Sequence, residues 1–306
     1  MGGDYAPLEA LKGIQDYLGE AAQPAHLVLF GDEVKIAPLL EEDILPRGSY
    51  TVVHAPQVID MHEHPTKALK EKQQSSIAMG FGALAAGKTD AFVSAGNTGA
   101  MLVGSLYALK TIEGVLRPTI STIVPKENGQ TGLILDVGLN SDCKPEHLNQ
   151  FAIMGTVYAQ NILGIEAPRV ALMNIGEEEG KGNLLAQATY PLLKENKHIN
   201  FVGNVEGRDL FIDKADVIVC DGFTGNIILK LAESFFEITQ RQSIKNEYLD
   251  RFNFENYGGT PVLGVNKPVI IGHGISKGRA FKNMILLAQK MIEKDIMQKL
   301  QSELEA

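Results

Sequence analysis

The sequence has little cysteine, no surplus of positive charge and no long hydrophobic run, and each absence removes a class of function. Its two cysteines, Cys143 and Cys220, lie far apart and fit no paired metal-ligand spacing. That argues against a disulfide framework or a zinc site and for a reducing, cytoplasmic setting. A formal net charge of −9 speaks against broad nucleic-acid binding, which needs clustered cations to neutralise phosphates. No run of about 18 apolar residues occurs, and the opening Met1-Gly-Gly-Asp-Tyr-Ala-Pro7 has neither the basic start nor the apolar core of a signal peptide. Neither secretion nor membrane spanning is expected. Internal repeats, low-complexity tracts, clear linkers, a nucleophile elbow and a Gly-x-Gly-x-x-Gly after a strand are also missing.

What is present is a repeated pattern of apolar strand, polar glycine turn and helix. Helices are expected at Leu8–Leu18, Val34–Glu41, Thr66–Ala86, Ala100–Leu109, Glu146–Gly164 and Ser276–Glu305, with strands at Ala25–Asp32, Ser49–Val58, Ile199–Asn204, Asp216–Gly222 and Pro268–Gly274. Arg117–Val124 and Thr131–Asp136 read as a hairpin inside this alternation. The pattern predicts one α/β unit over 1–306 with a largely parallel sheet covered on both faces, and polar 239–256 as an excursion from the core. In the helix before that stretch Ile227, Ile228, Leu231, Phe235 and Ile238 form a stripe suited to the core or a partner helix.

The chemistry concentrates where strands exit. Val170–Asn183 is an apolar run that leaves into a loop holding Gly176, Gly180 and Gly182 with three glutamates and Lys181. The loop misses the P-loop pattern: one residue too few separates its glycines, glycine replaces the Ser/Thr, and three acids repel phosphates. Gly96-Asn-Thr-Gly99 joins a strand to a helix, so free N–H groups point at whatever sits there and an anion is the natural ligand; the alternative is that Asn97 and Thr98 only cap the helix. Asp136, Asn174–Lys181, Asp221–Asn226 and His273 lie at further exits. Strand carboxyl ends are where ligands gather in such sheets, so convergence of five exits on one cleft is expected. His147 reads as a helix-start histidine and Cys143 as an inert small side chain.

Seven segments carry a resemblance. Met1-Gly-Gly-Asp-Tyr-Ala-Pro7, Ser94-Ala-Gly-Asn-Thr-Gly99, Asp142-Cys-Lys-Pro-Glu-His-Leu148, Asn174-Ile-Gly-Glu-Glu-Glu-Gly-Lys-Gly-Asn183, Gly203-Asn-Val-Glu-Gly-Arg208, Cys220-Asp-Gly-Phe-Thr-Gly-Asn226 and Tyr257-Gly-Gly259 together resemble the bacterial phosphate acyltransferases over nearly the whole chain. The resemblance implies transfer of a long acyl chain from acyl carrier protein to inorganic phosphate, giving acyl phosphate for phospholipid synthesis. It also implies a homodimer with a fold similar to phosphotransacetylase and isocitrate or isopropylmalate dehydrogenases. No cofactor and no metal ligand set is expected from the motifs, metal dependence stays open, and peripheral membrane contact is kept as an alternative to a wholly cytoplasmic protein. Three departures stand out. Members carry an apolar strand ending in Asp-Ala before Met-Gly-Gly-Asp that this sequence does not contain. Gln240–Glu255 is shorter and more polar than the helical hairpin of many members, and Ile275 stands where serine is common.

With that chemistry in view, Lys181 is expected to hold phosphate or oxyanion charge. Gly96, Asn97, Thr98, Gly99, Asn174, Gly176, Gly180 and Asn226 are expected to orient phosphate or the thioester carbonyl. Asp136 and His273 are candidates for positioning or proton transfer, and Glu177–Glu179 for orienting Lys181 or excluding a second anion. An acidic carrier needs local cations, which Lys277, Arg279 and Lys282 supply after His273, with Lys67, Lys70 and Lys72 next in line. The alternatives are a phosphotransacetylase-like enzyme using acyl-CoA and a non-catalytic membrane-surface scaffold that binds acyl carrier protein.

Overall fold

The computed structural model describes residues 1–40 and 45–305. In chain order the elements are α1 Leu8–Glu20, β1 Leu27–Gly31, α2 Glu33–Leu40, β2 Tyr50–His54, α3 Pro65–Glu71, α4 Ser76–Ala85, β3 Phe92–Ser94, α5 Thr98–Gly104, β4 Thr119–Pro125 and β5 Thr131–Leu135. They continue with α6 Pro145–Tyr158, β6 Arg169–Met173, α7 Leu184–Glu195, β7 Asn200–Val205, β8 Val217–Val219, α8 Gly222–Arg241, α9 Glu247–Asp250, β9 Thr260–Leu263, β10 Val269–Ile271, α10 Gly278–Glu293 and α11 Ile296–Glu305. The last residue of the helix expected at Val34–Glu41 lies outside the described residues. Contacts divide the chain into two compact units, Met1–Lys110 with Phe254–Glu293 and Thr111–Asn253 with Lys294–Ala306.

In the first unit β1 and β2 pair in parallel from Leu27↔Tyr50 to Gly31↔His54. β10 pairs in parallel with β3 and antiparallel with β9. A groove of about 610 Å³ is lined by the consecutive residues of β1 and β3 and by Ile14, Phe281 and Ile285.

In the second unit the strand order is β4-β5-β8-β6-β7. β4 and β5 form the expected antiparallel hairpin, and β5, β8, β6 and β7 run parallel. Leu133–Leu135, Val170–Leu172 and Val217–Val219 are all buried. Such unbroken apolar runs are what a parallel strand covered on both faces requires. From Phe151 to Tyr158 helix α6 is buried on every side, with Leu148, Phe151, Met154 and Val157 in the core.

Two expectations are corrected. The helix expected over Thr66–Ala86 is two, because Ser75 starts α4 anew: its Oγ accepts the Ala78 N–H at 3.2 Å while its own N–H bonds the Lys72 carbonyl. The terminal helix also divides, at Asp295, whose φ of 54° no helix continues through. Within 239–256, α8 persists to Arg241 and Phe252 is 7% exposed against Phe211, Phe235 and Tyr248. Arg251 there donates to the carbonyls of Lys126 and Gln130, so this part of the stretch packs on its unit.

Candidate active site

The second unit gathers three of the five strand exits. Registers Leu135↔Val219, Leu172↔Val219 and Met173↔Val205 place the carboxyl ends of β5, β8, β6 and β7 side by side. Asp136, the N-terminus of α8, the Asn174–Lys181 loop and Glu206 therefore follow neighbouring strands on one edge.

Asp136 is fully buried. Its Oδ1 accepts N–H bonds from Gly138 at 3.1 Å and Leu139 at 3.0 Å, and its Oδ2 accepts the backbone N–H and side-chain amide of Asn140, both at 2.7 Å. Burial raises the carboxyl above its ordinary value against the pull of those bonds. With both oxygens engaged, Asp136 shapes the turn and is not placed for proton transfer. Helix α8 docks on that turn: a Cβ at Gly225 would collide with the Asp136 carbonyl oxygen. Asp221 caps the helix, accepting the Thr224 N–H and hydroxyl at 2.8 Å each. Asn226, one turn on, is exposed and donates to the Val137 carbonyl at 3.2 Å.

The Lys181 loop is held at its base and open at its tip. Asn174 donates its N–H to the Val205 carbonyl at 2.8 Å and its side-chain amide to the Lys181 carbonyl at 3.1 Å. Gly182, at φ +94°, leaves no room for a Cβ beside the Asn174 amide. Gly176 is buried under the Lys181 stem, whereas Gly180 is open. The Lys181 side chain is 53% exposed, with Glu178 at 4.0 Å. Glu177 pairs with Lys214 at 2.5 Å and Glu179 with Lys194 at 2.9 Å. Two of the three glutamates expected to act on Lys181 are thus tied away from it. Glu177, Glu206 and Asp209 approach one another as metal ligands would, but Lys214 bonds both Glu177 and Asp209 and supplies the positive charge there.

The cysteines and His147 follow the bland expectation. Burial and the Asp136 charge push the Cys143 thiol up to about 12, and burial raises Cys220 well above its usual value, so neither is a thiolate near neutral pH. His147 accepts the Lys144 N–H at 3.1 Å at the start of α6, and burial lowers its pKa.

The other two exits belong to the first unit, where the Gly272 N–H bonds the Ser94 carbonyl at the paired ends of β10 and β3. Asn97 is spent within the fold: its Oδ1 caps α5 at the Ala100 N–H, and its amide donates to the carbonyls of Asp60, Met61 and Glu63. Gly99 packs against Pro65 and Gly96 against Ile77. Of the four residues expected to cradle an anion here, only Thr98 is exposed. His273 packs against Phe254 with ring centroids 4.4 Å apart and the rings tilted by 53°. Among the expected docking cations Lys282 is paired with Glu20 at 2.6 Å, while Lys277 and Arg279 are exposed. Lys72 of the second group is bound to Glu63 and the Val58 carbonyl. Asn204, Lys194 and Lys214 were not singled out as site residues by the sequence reading. Asn204 could have been, since it stands at a strand end within Gly203–Arg208.

Comparison with known proteins identifies the family and the fold. The model of a family described as "Fatty acid synthesis protein" matches residues 1–248 and 241–299. A protein of Dictyoglomus turgidum named phosphate acyltransferase is 44% identical over 98% of this chain and 94% of its own length. One of Aquifex aeolicus with the same name is 46% identical with the same coverage. Among solved structures, the EutD phosphotransacetylase from Staphylococcus aureus has a TM-score of 0.58 at 17% identity, covering 92% of this chain and 98% of that one. A branched-chain phosphotransacylase from Enterococcus faecalis V583 has a TM-score of 0.59 at 16% identity, with 95% and 97% covered. These structures show the fold, an α/β fold with a mostly parallel sheet. The chain belongs to the fatty acid synthesis protein family, alongside the relatives named phosphate acyltransferase.

Proposed function

We propose that this chain is an enzyme that transfers a long-chain fatty acyl group from acyl carrier protein to inorganic phosphate, giving acyl phosphate for phospholipid synthesis. The observation that carries the reading is Lys181: an exposed ammonium on a loop whose backbone is fixed, at the carboxyl edge of parallel strands and one strand over from the α8 N-terminus. In the reaction a phosphate oxygen attacks the thioester carbonyl carbon, the C–S bond breaks, and the departing thiolate takes a proton. Phosphate is already a competent nucleophile, so the enzyme's task is to position it and stabilise the developing oxyanion. Lys181 offers charge for this and Asn226 an amide, while Asp136 holds the turn on which α8 sits. The raised thiol pKa values support direct attack over an acyl-cysteine intermediate. His273 is carried in the proposal as a positioning or proton-transfer group, and His273→Asn is expected to lower kcat/KM.

Turnover of acyl carrier protein thioester and of acyl-CoA, each with and without phosphate, tests the reading. Phosphate-dependent turnover of the carrier-bound acyl group is the expected result. Preference for acyl-CoA would favour a phosphotransacetylase-like enzyme, and no phosphate-dependent transfer would overturn the proposal. Carrier docking is assigned to Lys277 and Arg279, since Lys282 is engaged by Glu20. Reversing both to glutamate is expected to raise KM for the acyl carrier protein substrate and flatten its salt dependence, with KM for phosphate unchanged. Phe223, Ile227 and Leu231, 63%, 53% and 60% exposed along α8, support an apolar partner for that helix. That partner fits a homodimer, with peripheral membrane contact as the second possibility to be read by vesicle flotation.

A further inference from the structure

Asn204 closes the end of β7 and is 4% exposed. Its side-chain amide donates to the Glu178 carbonyl at 2.9 Å, and that same carbonyl accepts the backbone N–H of Lys181 at 3.1 Å. On the other side of the residue, the Lys181 carbonyl accepts the Asn174 amide at 3.1 Å. Both polar groups of the Lys181 peptide are therefore fixed from the sheet: one through Asn174 after β6, the other through Glu178 by Asn204 on β7. The side chain keeps its freedom, and the glutamates on the loop are anchored outward to Lys194 and Lys214. Asn204 is an expensive choice for strand packing alone. Its Oδ1 is buried with no hydrogen-bond partner, and a buried polar atom without a partner destabilises a fold relative to an apolar residue of the same shape. Retaining an amide there makes physical sense if its donor half is what the site needs.

We infer that Asn204 is a positioning residue of the transfer reaction, setting the height of Lys181 over the strand ends by holding the Glu178 carbonyl. The inference rests on the proposed role of Lys181. A shift of about 1 Å in a group that stabilises a transition state costs on the order of 10²-fold in rate, so loss of the anchor reads out in catalysis before stability.

A double-mutant cycle tests it with wild type, Asn204→Ala, Lys181→Ala and the double variant, measuring kcat, KM for phosphate and the thermal midpoint of each. Asn204→Ala is expected to fold and to lose about 10–100-fold in kcat/KM. On the Lys181→Ala background the same change is expected to cost no more than about 3-fold, because the group it positions is gone. Equal losses on both backgrounds, or full activity of folded Asn204→Ala beside a crippled Lys181→Ala, would overturn the positioning role alone. Full activity of Lys181→Ala would instead overturn the functional reading of the loop. Should Asn204→Ala not fold, Asn204→Leu keeps the branched shape and removes the donor without burying a charge, and the same outcomes decide.

Discussion

The two ends of the parallel strands in the second unit carry the same kinds of charge under opposite conditions. At the amino ends, Lys126 is 1% exposed and bonds Asp216 at 2.6 Å and Asp213 at 3.3 Å. Arg169 meets Asp216 through its Nε at 2.9 Å, and also pairs with Asp213. Burial alone would raise the Asp216 carboxyl, but Arg169 and Lys126 overcome it and hold the group well below the carboxylate range. At the carboxyl ends Lys181 is 53% and Glu178 70% exposed, 4.0 Å apart. Enclosed charges must be fully paired or the fold loses several kcal/mol, whereas exposed pairs contribute about 0–1 kcal/mol and remain available to a ligand. One end of the sheet is stapled, and the other carries the exposed cation proposed to meet phosphate.

The contrast breaks first at Asp216. Asp216→Asn takes from buried Lys126 its nearer anion and leaves only the half-exposed Asp213 at 3.3 Å, so up to about 3–5 kcal/mol of stability should be lost, read by denaturant unfolding, with turnover of the folded fraction kept. The pH dependence has a definite sign. Because the folded carboxyl lies below its unfolded value, its stabilisation is complete above about pH 4 and is lost as pH falls through the folded pKa. The wild type should therefore lose more stability on acidification than Asp216→Asn does; equal losses would show that the cluster is not the stabilising end. Gly225→Ala is next. Its Cβ has no space against the Asp136 carbonyl, and about 1–3 kcal/mol of strain is expected, together with reduced turnover as α8 shifts. A variant as stable and active as wild type would remove the close docking of α8 from the account. Glu179→Gln loosens an exposed pair and should leave the denaturant midpoint nearly unchanged. A larger loss would erase the distinction between the two ends. Smallest of all, Cys143→Ala should keep substantial activity, and a trapped acyl-cysteine would reverse the mechanism.

Much of this contrast was legible in one direction only. Strands showed themselves because each is a short apolar run ending in glycine and polar residues, and the hairpin of β4 and β5 announced itself by the Lys126–Gln130 turn. The Lys181 loop was visible as a concentration of glycine and charge. Hidden were the partners that decide each charge's role. Lys126, Arg169 and Asp216 are distant in sequence and meet only through strand pairing, so nothing local distinguished them from surface charges. Asn97 looked like a ligand residue because amides at helix starts can serve either purpose; only the carbonyls of Asp60, Met61 and Glu63, brought from another loop, show that its donors are spent. The break between α3 and α4 was missed for a related reason, since Ser75 fits a helical pattern and also caps one.

The central claim is that the exposed cation at the carboxyl edge, and not the enclosed cluster at the amino edge, works on phosphate. It is tested most directly by kcat/KM for phosphate in Lys181→Ala, measured beside its thermal midpoint. The account predicts a loss on the order of 10²–10³-fold with the midpoint unchanged. Near-normal phosphate use by the folded variant would contradict it.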